Sequence, residues 1–236
     1  MAGGVRRMAG LTGPRRSGHT VAADQLAAMA LPLGDDGVVL GSDAEGHPRL
    51  AGLVRPEPYE VVLVGGLWTA QVLALRLAGT GARVAIETGR AQVWTHLVQA
   101  AGAGQECLAL YDVGRVPRLN PSVSSPVVVV RDCGIRPPRG RVTSAPWQSV
   151  LTLLPYFGPT TPRLLRQASL VGVQRISPEE AQQIGRLMQI PERDVAALPT
   201  LGDGVTLWCT RRDRQYAFTQ PTDAESGLLG SARRLD

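Results

Sequence analysis

Residues 60–90, EVVLVGGLWTAQVLALRLAGTGARVAIETGR, decide the fold of this 236-residue chain. Residues 60–64 form a mostly apolar, β-branched run that stops at Gly65 and Gly66, which predicts a strand buried on both faces that runs into a tight turn. Good helix formers follow the glycines, and a second short strand is expected over residues 83–87. The stretch is therefore predicted to be a β-turn-α-β unit with parallel strands and a right-handed crossover.

The turn at Gly65 can be compared with the phosphate-binding P-loop, G-x-x-x-x-G-K-[ST]. In that loop, backbone N–H groups surround the phosphates, a lysine reaches the terminal ones and a hydroxyl holds magnesium. This chain has GGLWTAQV, so Ala70, Gln71 and Val72 stand where the second glycine, the lysine and the hydroxyl belong. We interpret the turn as a vestigial phosphate loop and predict no catalytic residue. Its residues are Gly65, Gly66, Trp68, Thr69, Ala70 and Gln71.

Trp68 lies at the mouth of the first predicted helix, where a working P-loop leaves room for phosphate. Its indole is expected to fill that space with apolar surface and one N–H donor, which would close the site. The alternative is an exposed Trp68 that stacks on an adenine or contacts a partner protein.

A dinucleotide-binding turn, G-x-G-x-x-G/A, is the second interpretation of the same residues. Leu67 would then stand where the backbone must approach the pyrophosphate, while Ala70 is tolerated at the third glycine. Glu87 follows roughly 20 residues on, where a ribose-binding carboxylate is expected. In this interpretation the glycine that allows close approach of the pyrophosphate is missing at Leu67. No group of His, Ser and Cys residues in the sequence indicates a reaction on a substrate.

The composition bears on both interpretations. The chain has 25 basic residues counted as Lys and Arg, and all of them are arginine, so no lysine can replace the one missing from the loop. The net charge of +5 permits contact with nucleic acid, but the arginines are spread along the chain and form no long basic run. An arginine-rich nucleic-acid-binding module is therefore a third interpretation, based on charge alone.

The rest of the chain predicts further elements around this unit. Strands are expected over residues 106–112, 126–132 and 169–176, and helices over residues 91–101, 145–154 and 177–188. Two β-hairpins are expected as well, over residues 37–50 and 205–219. The predicted fold class is α/β: a mostly parallel P-loop-like or Rossmann-like sheet flanked by helices, with an N-terminal and a C-terminal β-hairpin.

Four parts are expected along the chain. Residues 1–22 are rich in Gly, Arg, Ser and Pro and are predicted to be a disordered tail. Residues 23–58 should form a helical turn and a β-hairpin appendage, residues 59–225 the α/β domain, and residues 226–236 a C-terminal tail.

Asp132 ends the strongest apolar strand, PVVVVRD, as the acid of a Walker B element does beside the magnesium of a P-loop. Glu87 and Asp132 are therefore candidate acids on the ribose or metal side of a nucleotide. An ordinary strand end with a turn-forming aspartate explains Asp132 equally well. The three histidines and three cysteines show no metal-ligand spacing, so no metal site is predicted.

The pattern of elements resembles the motor domain of the FtsK, VirD4 and HerA group of P-loop translocation ATPases, which includes the ATPases of type VII secretion. The resemblance covers about residues 37–225 and rests on the order of GVVLGSDAEGHPRL, a strand into VGG, RVAIETGRAQVW, VVVVRD, SLVGVQRISPEEAQQIGRLM and PTDAE. It implies that family's fold and assembly surfaces. The family's lysine and Ser/Thr are replaced by Gln71 and Val72, which argues against its ATP hydrolysis here.

The leading hypothesis is a non-catalytic accessory or scaffold protein of a secretion or conjugation machine, with an actinobacterial type VII system as the specific candidate. No cofactor is predicted, although passive nucleotide binding stays open. The expected partner is a translocation ATPase or another secretion component. Without an apolar run long enough to span a bilayer, the protein is expected to be cytoplasmic and at most peripheral to a membrane machine.

Overall fold

The computed structural model describes residues 37–101, 107–135, 137–138 and 142–232. Within them the chain forms a ten-stranded sheet flanked by helices. The strands are β1 (Val38–Ser42), β2 (Pro48–Ala51), β3 (Tyr59–Val64), β4 (Arg83–Thr88), β5 (Leu108–Tyr111), β6 (Val127–Asp132), β7 (Gln148–Leu154), β8 (Leu170–Val173), β9 (Val205–Cys209) and β10 (Arg214–Phe218). The helices are α1 (Leu67–Gly79), α2 (Gln92–Ala101), α3 (Thr161–Gln167), α4 (Pro178–Met188), α5 (Glu192–Ala197), a 3₁₀ turn (Leu198–Thr200) and α6 (Asp223–Leu229).

The sheet has two halves that differ in strand direction. Its order is β2-β1-β10-β9-β8-β3-β7-β6-β4-β5. From β8 to β5, neighbouring strands are parallel, and from β8 to β2 each neighbouring pair is antiparallel. The α/β class, the mostly parallel sheet and both hairpins agree with the prediction from sequence.

The central strands form because their side chains are apolar on both faces. In β3, Val61 and Leu63 belong to a core cluster that includes residues of α1, α2 and α6, whereas Val62 and Val64 belong to a cluster that includes residues of α3, α4 and α5. Because successive side chains of a strand point to opposite faces, the two clusters lie on opposite sides of the sheet. The strand is thus buried on both faces, as a parallel strand between helical layers must be.

The helix predicted over residues 145–154 is wrong. Residues Gln148–Leu154 are strand β7, which lies between β3 and β6 in parallel register, and all seven of its residues are buried. A short apolar run fits a buried strand as well as a helix when only its periodicity is considered. The helix of this region is α3, which comes later and begins at Thr161.

The predicted C-terminal tail is also wrong where the structure describes it. Asp223–Leu229 forms α6, and its N-cap Thr222 makes a capping box with Glu225. The same device begins α4, where Ser177 and Glu180 cap each other's backbone N–H groups. The predicted N-terminal tail, residues 1–22, and the helical turn expected near residues 23–30 lie outside the described residues.

The N-terminal hairpin extends the sheet. β1 pairs with β10 at Ser42 and Phe218, and Val38 and Leu40 are buried in the core cluster beneath α1. Among the described residues, no helix is long and apolar enough to cross a membrane.

Candidate functional site

The turn between β3 and α1 is shorter than a phosphate-binding loop. β3 ends at Val64 and α1 begins at Leu67, so only Gly65 and Gly66 connect them. In a P-loop, four residues between two glycines form the cradle around the phosphates before the helix begins. Here three of those four positions, residues 67–69, already belong to α1. The turn therefore differs from a P-loop in its backbone as well as in its side chains.

The N-terminus of α1 is occupied by the side chain of Gln174, which follows β8. The Gly66 N–H donates to Gln174 Oε1 at 2.7 Å. The Gln174 amide donates in turn to Thr69 Oγ1 at 2.7 Å and to Thr206 Oγ1 at 3.2 Å. A helix N-terminus of this length otherwise offers N–H groups to an anion. A Cβ on Gly65 would lie 2.5 Å from Gln174 Oε1, so this approach requires glycine.

Trp68 closes the turn from the other side. Its side chain is 2% exposed, and its Nε1 donates to the backbone oxygen of Gly230 at 3.1 Å, directly after α6. Ala70 is fully buried, and Gln71 is buried and donates through Nε2 to the oxygen of Val93 at 2.7 Å. Every residue of the predicted vestigial loop is thus packed or hydrogen-bonded inside the protein. We call the group formed by Gly65, Gly66, Trp68 and Gln174 the sealed turn.

Asp132 lies at the carboxyl end of β6, as expected for a Walker B acid, but protein groups surround it. Arg90 donates to both carboxylate oxygens, through Nε at 2.9 Å and Nη2 at 3.0 Å. Trp94 Nε1 donates at 2.8 Å and Thr88 Oγ1 at 3.2 Å. Asp132 is 3% exposed. The guanidinium of Arg90 supplies the positive charge that a metal would otherwise provide.

Glu87 lies on the opposite face of the sheet from Asp132, because it pairs in register with Arg131 one position earlier. Arg131 Nε donates to Glu87 Oε2 at 2.5 Å, and the Gly114 N–H donates to Oε1 at 2.7 Å. Burial, followed by this nearby carboxylate, raises the pKa of the Cys133 thiol to about 12, so the thiol is neutral at physiological pH. The structure does not bring Glu87 and Asp132 together into one site.

The helix that covers Trp68 is tied to α1 by an ion pair. Arg76 donates to both oxygens of Glu225, at 2.7 and 2.9 Å, and also to the backbone oxygens of Val39 and Gln220. Burial opposes ionisation of Glu225, but the hydrogen bonds from Arg76 and from the Thr222 backbone lower its pKa overall. Because the pKa of Glu225 is lower in the folded chain, the Arg76–Glu225 ion pair stabilises the fold at neutral pH. This stabilisation is lost as the pH falls through the acid range and Glu225 is protonated.

Three residues that fill or neutralise the site were not identified from the sequence: Gln174, Arg90 and Arg131. For Gln174 no local pattern exists, because its partners are more than 100 residues away or on another strand. For Arg131 a signal did exist. Parallel strands that end together place Arg131 beside Glu87, which would have suggested an ion pair instead of a ribose contact.

An acidic turn also brings possible metal ligands together. Asp43, Glu45 and His47 lie close enough to share an ion. The Asp43 carboxylate instead accepts the N–H groups of Glu45 and His47 and pairs with Arg49 at 2.8 Å. These contacts account for the turn between β1 and β2.

No protein-family model matches the sequence, and no characterised protein matches it in sequence. In fold, the chain is similar to VirB4 of Thermoanaerobacter pseudethanolicus, with a TM-score of 0.54 and 11% identity over 80% of this chain and 98% of that chain. It also matches the genome packaging NTPase B204 of Sulfolobus turreted icosahedral virus 2, with a TM-score of 0.48 and 12% identity over 70% of this chain and 98% of that chain. The likeness to VirB4 extends over most of this chain and shows that the two share an α/β fold.

Proposed function

We propose that this protein is a non-catalytic, P-loop ATPase-like accessory or scaffold subunit of a translocation machine. The observation that carries the proposal is the occupation of the N-terminus of α1 by Gln174, in a chain whose fold is similar to VirB4. The space where a nucleotide phosphate would bind is used by the protein itself.

Phosphoryl transfer depends almost entirely on positioning and on neutralising the charge of the phosphates. In this chain the lysine position is Gln71, whose amide is bound to a backbone oxygen, and the position of the magnesium-binding hydroxyl is Val72, which is fully buried. Asp132 is held by Arg90. Loss of all three functions together argues against turnover, whereas the sheet and its outer surfaces, which a scaffold uses, do not depend on them.

The machine that we propose is of the secretion or conjugation kind, with a type VII-like system as the specific candidate. The partner would be an active translocation ATPase or another component of that machine. In this role the protein would work on the cytoplasmic side, bound to a membrane machine through protein contacts.

The first test is a magnesium-dependent ATPase assay on the purified full-length chain. We expect phosphate release equal to that of the buffer control, and no rise in melting temperature with ATP or NAD, since binding to the native state would raise it by mass action. Asp132→Asn serves as the control for contamination. Turnover that this substitution abolishes would contradict the proposal, as would a saturable shift with micromolar dinucleotide.

The partner is tested by affinity purification from native cell extract with identification by mass spectrometry. Recovery of a translocation ATPase, repeated after mixing the two purified proteins, is the expected result. Recovery of metabolic enzymes alone would favour a different function.

A further inference from the structure

Three adjoining cavities form a continuous groove on the side of the sheet that carries α3 and α4. The first, about 360 Å³, lies between α3 and the residues Pro137, Pro138, Val142 and Ser144; the second, about 270 Å³, lies between α3 and the end of α4; the third, about 400 Å³, lies at the β9–β10 turn. Arg211 lines all three. We call this surface the basic groove and define it by Arg163, Arg166, Gln167, Ser169, Arg211 and Arg212.

The shared part of the basic groove lies at the opposite end of the sheet from the sealed turn. Ser169 directly precedes β8, and its N–H donates to the oxygen of Glu60 near the start of β3. Gly65 and Gly66 follow the other end of β3, roughly 20 Å away along a strand of this length. The groove is therefore separate from the turn on which the proposed function rests.

The walls of the basic groove are held in place by contacts between its elements. Arg211 Nη2 donates to the backbone oxygen of Arg166 at 3.5 Å, which joins the β9–β10 turn to the end of α3. Arg214 Nη2 donates to the oxygen of Gln189 at 2.7 Å, which joins the same turn to the end of α4. A ligand would therefore meet a largely preformed surface.

Four arginines define the basic groove, while a fifth that lines its first cavity, Arg131, is bound to Glu87. Arg163, Arg166, Arg211 and Arg212 are exposed, and in the part of the chain that the structure describes none of them has a carboxylate within ion-pair distance. The acids that line the cavities are Glu60 and Asp213. The excess of guanidinium groups favours an anionic ligand, because an arginine fork binds carboxylate or phosphate in a bidentate manner.

Aliphatic side chains form part of the lining of the first two cavities. Val150 and Leu164 line the first cavity, and Leu165, Leu187 and Met188 line the second. No aromatic side chain is among the described residues that line the three cavities. Single-stranded nucleic acid is usually held by stacking of its bases on aromatic rings, so the lining fits aliphatic side chains better than bases.

We propose that the basic groove binds an extended peptide segment of a protein partner in which acidic residues alternate with aliphatic ones. The carboxylates meet the four arginines at the rim, and the aliphatic side chains enter the cavities between them. The inference rests on the proposed function only in taking the ligand to be a protein. It does not depend on whether the sealed turn hydrolyses ATP.

The experiment uses the full-length chain as bait for a random 12-residue peptide library displayed on phage. We expect enriched sequences that combine Asp or Glu with Leu, Ile, Val or Met. A labelled synthetic copy of one enriched peptide is then titrated by fluorescence anisotropy. Arg166→Glu and Arg211→Glu should each weaken its binding by about tenfold or more, since each removes a charge-assisted pair and adds repulsion.

Arg118→Glu is the matched control. It makes the same change of charge at an exposed arginine that lines none of the three cavities, and it should leave the affinity unchanged. Circular dichroism melting shows whether each variant is folded. If Arg166→Glu or Arg211→Glu does not fold, the neutral variant at the same position, Arg166→Gln or Arg211→Gln, is measured in its place.

Three outcomes would overturn the inference: no enrichment, binding that the groove variants leave unchanged, or equal binding of polyglutamate, which has the charge without the aliphatic side chains. Tighter binding of a single-stranded DNA oligonucleotide, lost in the same variants, would assign the groove to nucleic acid instead. Peptide binding together with ATPase activity would refute the proposed function and leave this inference intact.

Discussion

The carboxyl and amino ends of the parallel strands use polar groups in opposite ways. Toward the carboxyl ends, Gln174 satisfies the backbone and hydroxyl groups around it, and Arg90 and Arg131 are each bound to a buried carboxylate. Toward the amino ends of β3 and β8, the basic groove presents four exposed arginines around cavities that are lined in part by aliphatic side chains, and none of the four has a carboxylate in ion-pair distance among the described residues. The first arrangement stabilises the fold, while the second leaves charge available for a ligand.

This difference reflects where each set of polar groups finds its partners. A buried polar group must be paired or the folded state loses stability. At the sealed end that requirement is met inside the chain. The same substitution should therefore cost much stability at the sealed end and little at the groove.

Trp68→Gly should have the largest effect. It removes a ring that is 2% exposed and places glycine within α1, so we expect a loss of about 4 kcal/mol in the free energy of unfolding. For a chain of this size the melting temperature should fall by about 10 °C. Tyr156→Gly, at a ring that is 51% exposed, is the control and should shift it by only a few degrees. The variant should still not bind ATP, because Gln71 cannot neutralise phosphate. An unchanged melting temperature would show that Trp68 does not close the turn.

Arg131→Met should come next. It leaves Glu87, 1% exposed, as an unpaired buried carboxylate, with an expected loss of about 3 kcal/mol in urea denaturation. Arg163→Met makes the same change in the basic groove and should cost less than about 0.5 kcal/mol. Equal losses at the two positions would remove the distinction between the sealed end and the groove.

Gln174→Ala should have the smallest effect. It leaves the Gly66 N–H and the Thr69 hydroxyl without their partner, at a cost of about 1–2 kcal/mol. Sulfate should restore part of that stability by binding to the opened N-terminus of α1. Gln167→Ala, at an exposed glutamine of the groove, should change neither stability nor its response to sulfate. If sulfate stabilises the wild type and Gln174→Ala equally, Gln174 does not block an anion site.

The sequence was sufficient for the elements whose signals are local. The β3–α1–β4 unit follows from an apolar run, two glycines and a helical stretch, and α4 follows from its capping box at Ser177 and Glu180. The C-terminal hairpin was likewise predicted close to β9 and β10. Each of these elements is specified by residues that are neighbours in the chain.

Features that depend on long-range packing were not predicted. The sequence predicts a helix at β7 because Trp147, Val150, Leu151 and Leu154 have the spacing of one helix face, whereas the position between β3 and β6 makes this segment a strand. Likewise, the sequence shows that Gln71 and Val72 stand where a P-loop has lysine and a hydroxyl. It does not predict the shortened turn, or that the side chain of Gln174 reaches this turn from the end of β8. The side chain that fills the turn comes from a distant part of the sequence that the fold brings beside it.

The attachment of β1 to β10 has a consequence for synthesis on the ribosome. Thr219 Oγ1 donates to the oxygen of Leu40 across 179 residues of sequence, so the β1–β2 hairpin can join the sheet only after β10 has been made. An isolated two-stranded hairpin is only marginally stable in water. The same delay applies to Trp68, whose partner Gly230 is made after nearly all of the sheet. The contact between Trp68 and Gly230 therefore forms only after α6 has been made, and the dependence on distant contacts should make folding slow.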